Sequence, residues 1–197
     1  MPQATLSLLA KVWFLAVTPI CVVDSIFVFT RAKSVHQPHP LAEMVPFKYW
    51  TIYAQYDRRY AANDDVFVVV QSLLNLLEVT MGLFVVLLAF CNARNLSIKL
   101  AMIVSVMTLY KTLCYVLVDF AEGGKYTRHN TLFELSALVI APLSVWIIVP
   151  AIIICQCSRA LSVANVPGPS KSRAYAYQNN QQQKQQGNVN TQGKKRN

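Results

Sequence analysis

The sequence predicts an all-α protein, a four-transmembrane-helix bundle followed by a disordered C-terminal tail. Of 197 residues, 54% are apolar and only 14% charged, where a soluble domain carries about a quarter charged. Four apolar runs, roughly 9–30, 66–91, 98–120 and 132–157, are each long enough to cross about 30 Å of hydrocarbon at 1.5 Å per residue. After Ser158 the composition changes abruptly: residues 178–192 hold seven Gln and four Asn with no apolar periodicity, a segment that cannot bury a core. A membrane domain over 1–160 and a basic, Gln/Asn-rich tail over 161–197 are therefore expected.

The first run, LAKVWFLAVTPICVVDSIFVF, lacks the basic start and small-residue cleavage site of a signal peptide, and Asp24 interrupts it. It is expected to stay in the mature protein. Residues 31–65 form the longest loop, opening with VHQPHP and continuing into the Tyr-rich FKYWTIYAQYDRRY, which is too patterned for a linker. The remaining connections are short, NARNLS and EGGKYTRHN, with Gly123 and Gly124 suited to a tight turn. Connections that short make neighbouring spans antiparallel. Pro142 and Pro150 are expected to kink the fourth span.

The net charge of +9 does not describe a nucleic-acid face, because seven of the eighteen cations lie in the tail from Arg159 onward. No nucleic-acid partner is expected. The five cysteines, Cys21, Cys91, Cys114, Cys155 and Cys157, are odd in number, lie in or at the ends of the apolar runs and form no CxxC or Cys/His cluster. That pattern excludes a disulfide-stapled secreted domain and gives no metal site or other cofactor. With four spans both termini share a side. The cations there number one (Lys11), two (Arg94, Lys99) and seven in the tail, against five and two in the opposite loops, which places both ends in the cytosol. The terminal Lys194-Lys195-Arg196-Asn197 has the look of a dilysine retrieval address for the endoplasmic reticulum.

Ionisable groups inside the spans are costly, about 2.5 to 3.5 kcal/mol each at mid-bilayer, and must face one another or a cavity. In the second span Gln71, Asn75, Glu78 and Gly82 fall at spacings of four, three and four, one stripe on one helix face. The third span carries Ser105, Thr108, Thr112, Tyr115 and Asp119, with Lys111 beside them. Two polar faces call for a common interior. Lys111 can neutralise either Asp24 or Glu78 there, as a structural ion pair or as part of a functional set. Two carboxylates on different helices, with hydroxyls and aromatic rings in an apolar cavity, suit proton-transfer chemistry on a greasy substrate. Trp146 and Tyr115 offer ring faces that stabilise a carbocation by about 0.5 to 2 kcal/mol each.

The segment Trp50-x-x-Tyr53-Ala54-x-x-Asp57-x-Arg59-Tyr60, followed by Asp64, resembles the signature of the emopamil-binding protein family, also called the EXPERA domain. The resemblance continues through Asp24, the polar stripe of the second span, Tyr110 and Tyr115, His129-Asn130, and Trp146 with Pro150, covering about residues 10 to 160. That family includes the sterol Δ8-Δ7 isomerase and the sigma-two receptor. The resemblance implies an EXPERA-like fold and a sterol or other hydrophobic small molecule as ligand. It also implies a reaction in which a membrane-embedded acid protonates a ring alkene and a second group removes a neighbouring proton, at a site that cationic amines occupy as mimics of the cation. Asp24 stands where the family has a first-span carboxylate, and Trp146 matches a fourth-span Trp near the ligand. The family's first-span His is absent, the chain reading Pro19-Ile20-Cys21 there, and its second-span Glu falls on Gln71, with Glu78 two turns further along the same face.

These readings make Asp24 and Glu78 the candidate acid/base pair, and Gln71, Asn75, Thr108, Lys111, Thr112, Tyr115 and Trp146 the candidate ligand-binding residues. A non-catalytic sterol or cationic-amphiphile receptor is the alternative. The lipid bilayer and a second copy of the chain are the other candidate partners. In the long loop, Asp57, Arg59 and Asp64 are expected to form an ion-pair cluster, with Trp50, Tyr53 and Tyr60 at the membrane interface.

Overall fold

A chain of apolar runs must satisfy its backbone internally once it leaves water, and helix is the local solution. The computed structural model describes residues 5–32 and 37–164. The tail beyond Ala164, with its dilysine end, and part of the VHQPHP stretch lie outside the described residues. Helix α1 spans Leu8–Thr30, and its first turn is capped by Ser7, whose Oγ accepts from the Ala10 N–H at 3.2 Å. The short α2, Phe47–Tyr56, lies within the long loop. Helix α3 spans Val66–Phe90, with the Asp65 carboxylate accepting from the Phe67 N–H at 2.8 Å, and α4 spans Arg94–Ala121. Gly123 and Gly124 follow it, both at φ +66°, the left-handed conformation that glycine adopts without strain.

The last span is built in three pieces. A turn at Leu132–Glu134, α5, is fixed by a reciprocal Thr131–Glu134 capping box. A π-helical segment follows at Leu135–Ile140, and α6 runs over Ala141–Ala164. The π segment has a cause in the sequence. Pro142 has no N–H to give and its ring crowds the carbonyl four residues back, so the turns before it widen to five-residue spacing, as in the Ala141 N–H to Ser136 carbonyl bond. The final helix extends four residues beyond the boundary expected at 160.

All regular elements among the described residues are helical, and four stretches are long and apolar enough to cross a membrane: Leu8–Thr30, Val66–Phe90, Arg94–Ala121 and Leu132–Ser162. Their polarity is turned inward. Ser72, Ser97, Ser105, Thr108 and Thr112 are buried, while Leu15, Leu77, Leu87 and Leu117 are exposed on the outer faces, the distribution a bilayer favours. Helix α1 packs on α3, α3 on α4, and α4 on α6, whereas α1 and α6 touch only sparingly.

At the end of the bundle where α1 begins, Ala10 and Phe14 meet Val85 and Val86 of α3, Ile98 and Ala101 of α4, and Ile153 and Cys157 of α6 in a filled core. Gly82 permits the close approach, since a Cβ there would stand 3.0 Å from the Phe14 ring. Toward mid-bundle Trp13 and Trp146 meet edge to face at 5.3 Å, joining α1 to α6 across their otherwise sparse contact.

Candidate functional site

Beyond the Trp13–Trp146 contact, past a small cluster of Val17, Cys21 and Val79, a cavity of about 330 Å³ opens beneath α2. The spacing of the polar residues creates it. Cys21 and Asp24 share one face of α1, Gln71 and Asn75 one face of α3, and Lys111, Thr112 and Tyr115 one region of α4. All of them line the cavity, together with Pro142 and Trp146 of α6. Tyr49, Trp50 and Tyr53 of α2, and Tyr60 just after it, complete the wall from above.

A chain of hydrogen bonds links the ionisable groups across three helices. The Asp24 carboxylate accepts from the Trp50 indole N–H (3.0 Å), the Asn75 amide (3.2 Å) and the Ser72 hydroxyl (3.4 Å). Ser25 adds a second tie between α1 and α3 by donating to the Ser72 carbonyl at 3.1 Å. The Asn75 carbonyl oxygen accepts from the Lys111 ammonium, so the one amide joins Asp24 to Lys111. This orientation follows from the donor inventory, because only the NH₂ can serve a carboxylate and only the oxygen an ammonium. Lys111 donates in turn to Glu78 at 3.0 Å, and the same Glu78 oxygen accepts from the Thr108 hydroxyl at 2.8 Å. Lys111 is thus the direct ion-pair partner of Glu78 and reaches Asp24 only through Asn75. Asp24 itself is held by neutral donors and has no ion-pair partner among the described residues.

The roof over this cavity is fastened by a second network. Asp57, 1% exposed, accepts from the Tyr115 hydroxyl (2.6 Å), the Tyr53 hydroxyl (3.3 Å) and the Arg59 backbone N–H (3.1 Å). Burial pushes the Asp57 carboxyl above its usual range, against the opposing pull of those donors and of the Arg59 charge. Burial beside the Asp57 and Asp24 carboxylates likewise raises the Tyr53 and Tyr60 phenols well above theirs, and the two rings meet edge to face at 5.3 Å. The Arg59 guanidinium, equally buried, donates to Asp65 at 2.5 Å and to Glu122, and lies over the Tyr126 ring at 4.4 Å. Arg31 donates to the Arg59 and Asp65 carbonyls. His129 bonds the Gln55 carbonyl at 2.8 Å, and Asn130 donates to the Tyr56 carbonyl at 2.7 Å, so the loop after α4 grips the end of α2.

The structure therefore brings Asp24, Gln71, Asn75, Lys111, Thr112, Tyr115 and Trp146 to one cavity. Glu78 and Thr108 stand behind Lys111 and do not line it. One loop expectation is corrected: Arg59 pairs with Asp65 and Glu122 rather than Asp64, which is exposed. Trp50, Tyr53 and Tyr60 line the cavity, where buried Asp24 and Asp57 offer acceptors to Trp50 and Tyr53. The lining roles of Tyr49, Trp50, Tyr53, Tyr60 and Cys21 were not found from sequence. For the four aromatic residues the signal was the density of rings in the long loop, and for Cys21 it was its place one turn before Asp24 on the same face of α1. The chain matches no protein-family model and no curated protein sequence.

Proposed function

We propose that this chain is a multi-pass protein of the endoplasmic reticulum membrane, with both termini cytosolic and an EXPERA-type architecture, that binds a sterol or terpenoid-like molecule in the chamber beneath α2. One observation carries this reading. A lone carboxylate, Asp24, stands in the wall of a cavity otherwise dominated by Tyr and Trp rings and apolar side chains, held there by neutral donors alone. Such a wall suits a largely apolar molecule with one polar end. The volume of about 330 Å³ lies at the lower end of the roughly 300 to 1,000 Å³ of small-molecule sites. The sparse contact between α1 and α6 gives a hydrophobic molecule a path from the hydrocarbon.

A second reading adds catalysis, with the ring double bond moved through a carbocation. It is favoured by the continuous chain from Asp24 through Asn75 and Lys111 to Glu78, since an acid and a base must cooperate. In that scheme Asp24 in its protonated form delivers a proton to the alkene carbon, and Tyr115 and Trp146 face the cation. The neighbouring C–H proton passes to Lys111 as Lys111 gives one of its own to Glu78, the C–H electron pair forming the new double bond. The position of Glu78 outside the cavity is the reason binding without turnover is placed first.

Purified protein in lipid nanodiscs, incubated with a photoreactive sterol, is expected to show saturable labelling that Trp146→Ala weakens at least about tenfold, the scale of losing a buried aromatic contact. Incubation with Δ8-sterols in deuterium oxide then separates the readings. Deuterium uptake with a shifted double bond establishes catalysis, its absence leaves binding alone, and a lack of saturable labelling removes both.

A further inference from the structure

Lys111 gives the cavity a property that neither the aromatic rings nor Asp24 supplies. An ammonium carries three N–H donors. Asn75 and Glu78 take two of them, no third acceptor stands beside Lys111 among the described residues, and the side chain lines the cavity. One donor is left for whatever occupies the space. The nearby carboxylates are already engaged: Asp24, on the wall, is held by Trp50, Asn75 and Ser72 with the Tyr60 phenol beside it, and Glu78, behind Lys111, takes Thr108 and Lys111. The built-in cation thus stands between the cavity and Glu78, on the same wall as an Asp24 whose oxygens neutral donors already hold.

Resting on the reading of this chamber as a ligand site, we infer that Lys111 sets the charge class of its ligand. The chamber takes an apolar molecule whose polar end is a neutral oxygen acceptor, a ketone or a hydroxyl, and rejects an ammonium of the same shape. A carbonyl accepts the free Lys111 N–H without disturbing the existing bonds. An amine cation meets the Lys111 charge at short range in a region of low dielectric, where like charges repel strongly. An anionic end is disfavoured by the two carboxylates on the same network. The inference departs from the cationic-amine preference that the sequence resemblance implies, and it does so on a residue that the bundle pins from two sides.

The test uses a matched pair of radiolabelled probes, a 3-keto sterol and the corresponding 3-amino sterol, with the full chain in nanodiscs. Wild type is expected to bind the ketone at least about tenfold more tightly than the amine. Lys111→Arg, which keeps the charge, preserves that order. Lys111→Met combined with Glu78→Gln removes the ion pair whole, so that Glu78 is not stranded, and reverses the order in favour of the amine, now drawn to Asp24. Equal or tighter amine binding by wild type, or an unchanged ratio in the double variant, overturns the inference while leaving the chamber a ligand site. Failure of wild type to bind either probe overturns both.

Discussion

Arg59 is a cation that the fold has taken almost wholly out of solvent, at 1% exposure, and each feature around it depends on guanidinium shape. Two of its nitrogens reach different carboxylates, Asp65 on one side and Glu122 on the other, while its plane lies near the rings of Tyr126, Phe67 and Tyr115 at 4.4, 5.1 and 5.6 Å. Removing it strands Asp65 and frees the loop it organises. Arg59→Ala is expected to cost about 3 kcal/mol, the scale of a broken buried pair, read as a lowered thermal midpoint in detergent. Arg59→Lys should recover little, because a point charge cannot fork or stack in the same way. Full recovery by Lys would reduce the residue to its charge. Asp57 gives a second prediction at this scale. Its folded pKa is raised by burial, so its contribution is most favourable below the unfolded value of about 3.9 and is lost as pH rises through the folded value. The thermal midpoint of Asp57→Asn relative to wild type should therefore move in the variant's favour as pH climbs from about 4. A difference that stays flat with pH would contradict the raised pKa.

At the scale of elements, the tightest constraint is the α1–α3 crossing. Gly82 gives up helix propensity, about 1 kcal/mol relative to Ala, to let Phe14 lie against the α3 backbone. Gly82→Ala adds that propensity but presses a methyl onto the ring at 3.0 Å, so the two effects nearly offset. Gly82→Leu gains nearly the same propensity but overpacks the contact far more, which costs about 1 to 3 kcal/mol. Pairing it with Phe14→Ala should restore most of the lost thermal midpoint, and a midpoint that stays low would place the strain elsewhere. The spans were legible in the sequence because length and apolarity decide them, and the α3 stripe because helical period fixes which residues share a face. The four-three-four spacing put Gln71, Asn75, Glu78 and Gly82 together, and the fold then used that face for a cavity wall, an ion pair and a helix crossing in succession. The loop was not legible. Whether Asp64 or Asp65 meets Arg59 depends on side-chain directions set by Arg31 and Glu122, distant in sequence and carrying no periodic signal. The π segment was visible only as a kink at Pro142, since sequence marks where a helix is disturbed but not how its hydrogen bonds rearrange.

Taken whole, the membrane unit has a filled half and a hollow half, and the two should differ in local stability. The filled half interlocks all four spans through Phe14, Val85, Ile98 and Ile153. The roof of the hollow half, α2, has one buried residue, Ala54. It is held instead by a few side-chain bonds: Trp50 to Asp24, Tyr53 to Asp57, and His129 and Asn130 to its last carbonyls. Elements with little buried apolar surface open at lower free energy than the core around them. Amide hydrogen exchange in nanodiscs is therefore expected to run faster across Phe47–Tyr56 than around Val85 and Ile98. Trp50→Phe removes one hydrogen bond between roof and chamber, worth about 1 kcal/mol, and should quicken exchange in α2 about fivefold while leaving the filled half unchanged. A sterol probe seated in the chamber would touch Trp50 and Tyr53 from below and slow those same amides. If α2 proved as protected as the core in the empty protein, the roof would be a fixed part of the bundle. Access to the chamber would then have to run between α1 and α6, where the helix contacts are sparse.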